Sequence, residues 1–344
     1  MKILIKYIYL FLIVSLLGCN NSHKLNLEYK TPKFPQTKKV NKIIPIANDE
    51  LLISTPYSMY VCDSLLIVSA DNIENKNVFH AISLNSGKII NSFATEGRGP
   101  NELLDYMRQS FAPVDNTISA IDNSGRGVVI DLTRAINGSG DFVKENFKMT
   151  SYPIGLTKHF FNDKILNLGA VASAFCITDR SGRDTLSVVK DFPPITEEAY
   201  IDSLAKSEYY NYSSLYAVKP DASAFVHTTC GGMITSIYKI DNNQIKLVTT
   251  RYFYEPKFDG GDADGGTINI CASDEYIYLL YRDVPYDELM HFKLGVFDWN
   301  GREICCYEVP KSIRNFTYDK SQNRMICWAK NADGEEYLGY FDLK

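Results

Sequence analysis

The sequence predicts an all-β fold. Short apolar runs rich in Tyr, Phe, Val and Ile recur along the chain, and turns of Asn, Asp, Ser and Gly follow them. Two of these turns, at residues 179–183 and 298–302, are close copies of one another. The unit of strands and turns repeats every 45–50 residues or so, which is about the length of one β-propeller blade. The chain after its N-terminal segment therefore predicts a six-bladed β-propeller.

A closed ring of blades is favoured because radial closure removes most exposed sheet edges. A single large β-sandwich is the alternative, but it requires longer strands and leaves the repeat unexplained. The last apolar run, residues 337–343, predicts a strong C-terminal strand. We expect an N-terminal strand near residues 40–46 to pair with that last blade and close the ring.

The N-terminus has the features of a secretory signal. Lys2 and Lys6 precede an apolar run at residues 10–14, and Leu-Leu-Gly-Cys ends it at Cys19. This ending resembles the lipobox of bacterial lipoproteins, which implies removal of residues 1–18 and acylation of Cys19. Multiple acyl chains on one residue would give stable attachment to a membrane. An ordinary signal peptide or an N-terminal membrane helix is the alternative.

The segment after Cys19 is polar and rich in lysine and proline. It predicts a lipidated tether over residues 19–42, followed by a propeller domain over residues 43–344. No later apolar run is long enough to span a bilayer. The net charge of −5 argues against nucleic acid as a partner.

One turn differs from the others in its chemistry. It reads Gly-Arg-Gly-Pro-Asn-Glu-Leu from Gly97 to Leu103. Glycine adopts positive φ at low cost and asparagine tolerates it, so a tight turn with such backbone angles is expected. Arg98 and Glu102 are then carried on a stiff loop. This loop is either a plain connection between blades or a ligand-facing loop that presents Arg98.

This turn resembles the Gly-x-Gly-Pro-Gly-Glu-(Phe/Leu) turn of TolB-like six-bladed β-propeller lipoproteins of Bacteroidetes. Asn101 stands where that pattern has glycine. With the lipobox and the blade repeat, the resemblance covers nearly the whole mature chain. It implies an outer-membrane lipoprotein of a Gram-negative bacterium, facing either the periplasm or the cell surface. TolB itself has an additional α/β domain, so its partners are not carried over.

Residues 193–216 interrupt the strand pattern and predict a short helical insertion. Thr196 is a plausible N-cap, and apolar side chains recur on one face after it. Insertions in repeat proteins often carry binding specificity, and tyrosine rings stack on sugar faces. The predicted binding residues here are Tyr209, Tyr210 and Tyr212. A helix that only caps a blade is the alternative.

Residues 259–266 alternate acidic and glycine residues. Asp259, Asp262 and Asp264 offer oxygen ligands of the kind that calcium prefers, although the loop does not match a complete EF-hand. A solvated loop without a metal is the alternative. The five histidines show no zinc-binding spacing. Seven cysteines remain besides Cys19, and their odd number argues against a disulfide framework.

Two functions remain open. The first is a non-catalytic, monomeric, lipid-anchored propeller that binds an envelope protein or a carbohydrate. The second is a metal-dependent hydrolase or lactonase with its site in the central channel. No nucleophile elbow or P-loop occurs in the sequence. Metal ligands scattered over several blades would nevertheless be compatible with the hydrolase or lactonase.

Overall fold

The computed structural model describes residues 27–46, 53–70, 76–104, 110–122, 124–150, 155–170, 173–195, 214–256, 265–283 and 292–343. Within these residues, 26 strands form six sheets, each the blade of a propeller. The predicted all-β, six-bladed fold is confirmed.

The first half of the chain supplies two N-terminal strands and three blades. The N-terminal strands are β1 (Thr37–Lys39) and β2 (Ile44–Pro45). Blade 1 contains β3 (Ser58–Cys62), β4 (Leu65–Ser69), β5 (Asn77–Ser83), β6 (Ile89–Glu96) and β7 (Glu102–Leu103). Blade 2 contains β8 (Ala112–Val114), β9 (Thr117–Ile121), β10 (Arg126–Asp131) and β11 (Val143–Lys148). Blade 3 contains β12 (Gly155–Phe161), β13 (Lys164–Ala170), β14 (Phe175–Asp179) and β15 (Thr185–Val189).

The second half supplies the remaining three blades. Blade 4 contains β16 (Ser214–Val218), β17 (Ala224–Thr229), β18 (Ile234–Asp241) and β19 (Gln244–Tyr252). Blade 5 contains β20 (Gly266–Ala272), β21 (Tyr276–Arg282), β22 (Phe292–Asp298) and β23 (Glu303–Val309). Blade 6 contains β24 (Ile313–Asp319), β25 (Arg324–Lys330) and β26 (Glu336–Asp342).

The first strands of successive blades face one another around the axis. β8 contacts β12, β16 contacts β20, β20 contacts β24, and β24 contacts β3, so the last blade meets the first. Apolar side chains fill the spaces between blades. Leu66 of blade 1 packs with Trp328 of blade 6. The ring centres of Phe175 in blade 3 and Phe225 in blade 4 are 5.1 Å apart. The hydrophobic core is therefore divided among the contacts between blades.

The ring closes through the N-terminal segment, as predicted. β2 is the outer strand of blade 6 and pairs antiparallel with β26, with Ile44 opposite Tyr340. β1 adds a parallel strand to blade 5 through β23. Closure of this kind joins the two ends of the chain in one sheet and leaves no open edge between them.

The described part of the predicted tether packs against the blades. The Lys30 backbone amide donates to the carbonyl of Tyr252 at 2.8 Å in blade 4. The Phe34 ring packs edge-on against Phe297 of blade 5, with ring centres 5.3 Å apart. Strand pairing and aromatic packing thus hold residues 27–46 to the outside of blades 4, 5 and 6.

The described residues contain one helix, α1 (Leu132–Ile136), between β10 and β11. The Asp131 side chain caps it by accepting from the Arg134 amide at 3.0 Å. No helix in the part of the chain that the structure describes is long and apolar enough to cross a bilayer.

The predicted helical insertion at residues 193–216 lies mostly outside the described residues. The predicted C-terminal boundary of this insertion is wrong, because Tyr216 belongs to β16 and pairs with His227 of β17. The Tyr216 ring also packs edge-on against Phe175, with ring centres 6.2 Å apart. Cross-strand pairing and aromatic packing have therefore placed this tyrosine in a strand.

Candidate functional site

The turn from Gly97 to Leu103 is built around the Glu102 side chain. Its carboxylate accepts a hydrogen bond from the Gly99 amide at 2.6 Å. The chain then returns beside its own preceding strand, because β7 pairs parallel with β6 and places Glu102 opposite Thr95. A Cβ atom at Gly97 would overlap with the Glu102 carboxylate. A side chain at that position would therefore displace the carboxylate from its hydrogen bond.

The expected backbone conformation of this turn is wrong. Gly97, Gly99 and Asn101 all have φ outside the left-handed region. The Glu102 side chain occupies the space beside both glycines, so a Cβ atom at either position would require this side chain to move. The Asn101 amide donates instead to the Gly140 carbonyl, next to blade 2.

Arg126 of blade 2 fixes the turn from outside. Its Nη1 donates to the carbonyls of Gly99 at 2.9 Å and Glu102 at 3.0 Å, and its Nη2 donates to that of Pro100 at 2.6 Å. The Asn146 side chain orients the guanidinium by accepting from Nε at 3.1 Å. A planar guanidinium is well suited to binding several carbonyls at once. The sequence offered no sign of this contact.

The two charged residues predicted for this loop differ in availability. Glu102 is bonded within the turn. Arg98 is exposed and makes no hydrogen bond or ion pair in the part of the chain that the structure describes. A rigid turn that projects one exposed guanidinium is suited to binding a carboxylate, sulfate or phosphate group.

A second candidate site is a cavity of about 260 Å³ between blades 4 and 5. We call it the lysine cavity. Three lysines contribute to its wall, and the other lining residues are Ser223, Ala224, Ile240, Asp241 and Trp299. The lysines are Lys219, Lys239 and Lys246.

Ion pairs neutralise two of these lysines. Lys219 lies 3.3 Å from Asp221, and Lys246 lies 2.8 Å from Asp241. The hydrogen bond and charge of Lys246 lower the pKa of Asp241, so this carboxylate is ionised at neutral pH. Lys239 is opposite Lys246 in the β18–β19 register and makes no ion pair within the described residues. The cavity is therefore lined by three ammonium groups and the carboxylate of Asp241, with the Asp221 carboxylate paired to Lys219 beside the lining.

Trp299 forms part of the opposite wall. It lies in the turn between β22 and β23, which crosses from blade 5 toward blade 4. Its indole Nε1 donates to the Ser273 carbonyl at 3.2 Å, which fixes the orientation of the ring. A cavity lined by both a fixed indole ring and ammonium groups is suited to a ligand with an anionic and an apolar part.

Several buried titratable groups lie within blades 3 and 4. Burial lowers the pKa of Lys158 to about 8, of His159 to about 4 and of His227 to about 3. The His227 Nε2 atom lies 2.9 Å from the Ser214 hydroxyl. In the described ranges, no three His, Cys, Asp or Glu side chains come together in an arrangement that could hold a metal ion.

Several predicted site residues lie outside the described residues. They are Cys19, the tyrosines Tyr209, Tyr210 and Tyr212, and the acidic residues Asp259, Asp262 and Asp264. Their roles in lipid attachment, ligand binding and calcium binding stay predictions. The seven cysteines other than Cys19 are all described, and each is a free thiol.

A family model described as "TolB-like 6-blade propeller-like" matches residues 33–321. Among solved structures, an exported-protein candidate from Bacteroides fragilis NCTC 9343 aligns with a TM-score of 0.51 and 13% identity, over 95% of this chain and 98% of that chain. The Myceliophteria thermophila Cps50 (Swd1) β-propeller domain aligns with a TM-score of 0.43 and 8% identity, over 86% of this chain and 99% of that chain. A search of curated proteins finds no significant match.

Proposed function

The chain belongs to the TolB-like six-bladed propeller family, and from this premise we propose that it is a lipid-anchored, non-catalytic binding module of the cell envelope. In this proposal the acylated Cys19 holds the propeller at the outer membrane. The turn at Arg98 then binds an anionic group of an envelope protein or carbohydrate.

One observation carries the binding role. Three guanidinium contacts and the Glu102 carboxylate fix the backbone of the turn, while the Arg98 side chain is exposed and makes no hydrogen bond or ion pair within the described residues. Little conformational entropy is then lost by the backbone when a ligand binds, and such preorganisation favours affinity. Arg98 would form paired hydrogen bonds with a carboxylate or phosphate.

The anchoring role is supported by the sequence and by the packing of the N-terminal segment. The Leu-Leu-Gly-Cys ending follows an apolar signal segment directly. Residues 27–46 then pack along the outside of blades 4, 5 and 6, so only a short stretch separates Cys19 from the folded domain. The exported-protein candidate with the same fold is compatible with this location.

Fractionation of a Cys19→Ser variant tests the anchor. We expect the wild-type protein to sediment with membranes and to require detergent for extraction. The variant should appear in the soluble envelope fraction. A variant that still requires detergent for extraction would overturn the lipoprotein assignment.

Calorimetric titration with two probes tests the binding role. The probes are inorganic phosphate and an oligogalacturonate, which carries carboxylates on a sugar chain. We expect Arg98→Ala to weaken binding of at least one probe tenfold or more, which corresponds to the loss of a charged hydrogen bond. Arg314→Ala removes another exposed arginine, from blade 6, and is the matched control. Equal binding by both variants would exclude Arg98 from the site.

A further inference from the structure

The outer edge of blade 4 combines exposed apolar and basic side chains. β19 is the last strand of its sheet. Leu247 is 58% exposed and Val248 is 36% exposed, and both are among the most exposed large apolar residues described. Lys246 and Arg251 of the same strand are also exposed. Basic side chains beside exposed apolar ones are typical of surfaces that contact anionic membranes.

The lysine cavity is continuous with this edge. Lys246 belongs both to β19 and to the wall of the cavity. Lys239 adds a third ammonium group, which makes no ion pair within the described residues but acts with Lys246 on the charge of Asp241, and Trp299 adds an aromatic ring. Lysine and tryptophan are both characteristic of the interface between membrane and water. Lysines on edge strands often serve only to prevent pairing with the sheet of another molecule. That role does not explain why Lys219, Lys239 and Trp299 line a cavity beside Lys246.

The N-terminal segment limits how far this edge can lie from an acylated Cys19. Lys30 is bonded to Tyr252, which is six residues from Lys246 along β19 and therefore about 20 Å away. Leu27 follows Cys19 by eight positions, a span of at most about 29 Å for an extended chain. An acyl group on Cys19 would therefore keep blade 4 within reach of the bilayer.

We propose that the outer edge of blade 4 docks on an anionic lipid surface and that the lysine cavity binds the phosphate of a lipid headgroup. This inference rests on the proposed lipid anchoring, because the anchor brings blade 4 to the membrane. Leu247 and Val248 enter the interfacial layer, while Lys239 and Lys246 contact the headgroup.

Vesicle co-sedimentation tests the docking surface without the anchor. The protein is the unacylated mature chain, Cys19→Ser, residues 19–344. The vesicles contain equal parts phosphatidylglycerol and phosphatidylethanolamine, and phosphatidylcholine vesicles are the neutral comparison. We expect binding to the anionic vesicles, with a blue shift of Trp299 fluorescence. The other tryptophan, Trp328, is 1% exposed and should not respond.

Lys239→Gln with Lys246→Gln should weaken binding to the anionic vesicles about tenfold or more, because each lysine near an anionic surface contributes to the attraction. Lys88→Gln with Lys144→Gln is the matched control. It makes the same change in charge at exposed positions in blades 1 and 2 and should leave binding unchanged.

Three outcomes would overturn the inference. They are equal binding to neutral and anionic vesicles, equal loss in the two lysine pairs, and binding of inorganic phosphate in the cavity with no binding to vesicles. The last outcome would assign the cavity to a soluble anion. Because the test protein has no acyl chain, failure here is distinct from failure of the Cys19 anchor, which fractionation of the wild-type protein measures separately.

Discussion

The carboxylate of Glu102 accepts a hydrogen bond from the Gly99 amide at 2.6 Å and also occupies the space that a side chain at Gly97 would need. One side chain therefore both accepts a hydrogen bond within the turn and fills the space beside Gly97. The φ angle of Gly97 does not itself require glycine, because it lies outside the left-handed region.

Gly97→Ala should lower the free energy of unfolding by about 1 kcal/mol, the usual net contribution of one hydrogen bond. The new Cβ would displace the Glu102 carboxylate and leave the Gly99 amide without its acceptor. Denaturant unfolding of the purified protein measures the change.

A double-mutant cycle with Glu102→Ala supplies the control. In that background the space beside Gly97 is empty, so we expect the cost of Gly97→Ala to fall by about 1 kcal/mol. An unchanged cost would mean that the backbone, and not the Glu102 side chain, selects glycine.

Arg126→Lys should lower the free energy of unfolding by about 2–3 kcal/mol. A lysine cannot contact three carbonyls in the geometry that the guanidinium provides, so charged hydrogen bonds are lost. Arg98→Ala, in the same turn, should change the free energy of unfolding by less than about 0.5 kcal/mol because Arg98 is exposed. Thermal melts of both variants provide the comparison. Similar losses in the two variants would contradict the assigned roles.

The sequence predicted the architecture because local patterns determine it. Strand periodicity, turn residues and repeat length gave the blades, and the apolar run at the C-terminus indicated ring closure. Contacts between distant residues have no comparable local sign. Arg126 of blade 2 donates to Gly99 of blade 1, and Trp299 of blade 5 lines the same cavity as Lys219 of blade 4, without any motif that links these residues. The sequence therefore predicted Arg98 as a candidate residue, but neither the side chain that fixes its turn nor the lysine cavity.

The protein should lose stability when the pH falls from 7 to 5, an interval that lies above the pKa of most carboxylates. Burial lowers the pKa of His159 to about 4 and of His227 to about 3, so both are neutral in the folded protein at pH 5. In the unfolded chain they bind protons below pH 6.5. The unfolded state then binds more protons, and the free energy of unfolding falls as the pH decreases from 7 to 5. We expect a loss of about 2 kcal/mol for each histidine over this range.

Denaturant unfolding at pH 7 and pH 5 measures this loss. The His227→Gln variant should be less stable at pH 7 but should lose less stability between the two pH values than the wild type, because one titrating group is absent. A parallel loss in both proteins would show that His227 does not bind protons differently in the two states.

Ring closure should depend on Glu336, which joins residues near opposite ends of the chain. Its carboxylate accepts from the Trp328 indole at 2.7 Å and lies 2.7 Å from the hydroxyl of Thr55, 281 positions earlier. Glu336→Ala should lower the free energy of unfolding by about 2–3 kcal/mol, since the indole N–H of the buried Trp328 would lose its acceptor. Glu336→Gln should cost less because its amide carbonyl can still accept one hydrogen bond.

The neighbouring Glu335→Ala is the matched control for this prediction. Glu335 is exposed, and its side chain bonds only within its own turn, to Asn331 at 2.8 Å. Its loss should therefore cost less than about 1 kcal/mol. Near-ultraviolet circular dichroism should change with Glu336→Ala, because the environment of Trp328 changes, and should stay constant with Glu335→Ala. If Glu336→Ala is no more destabilising than Glu335→Ala, strand pairing between β2 and β26 closes the ring without help from this carboxylate.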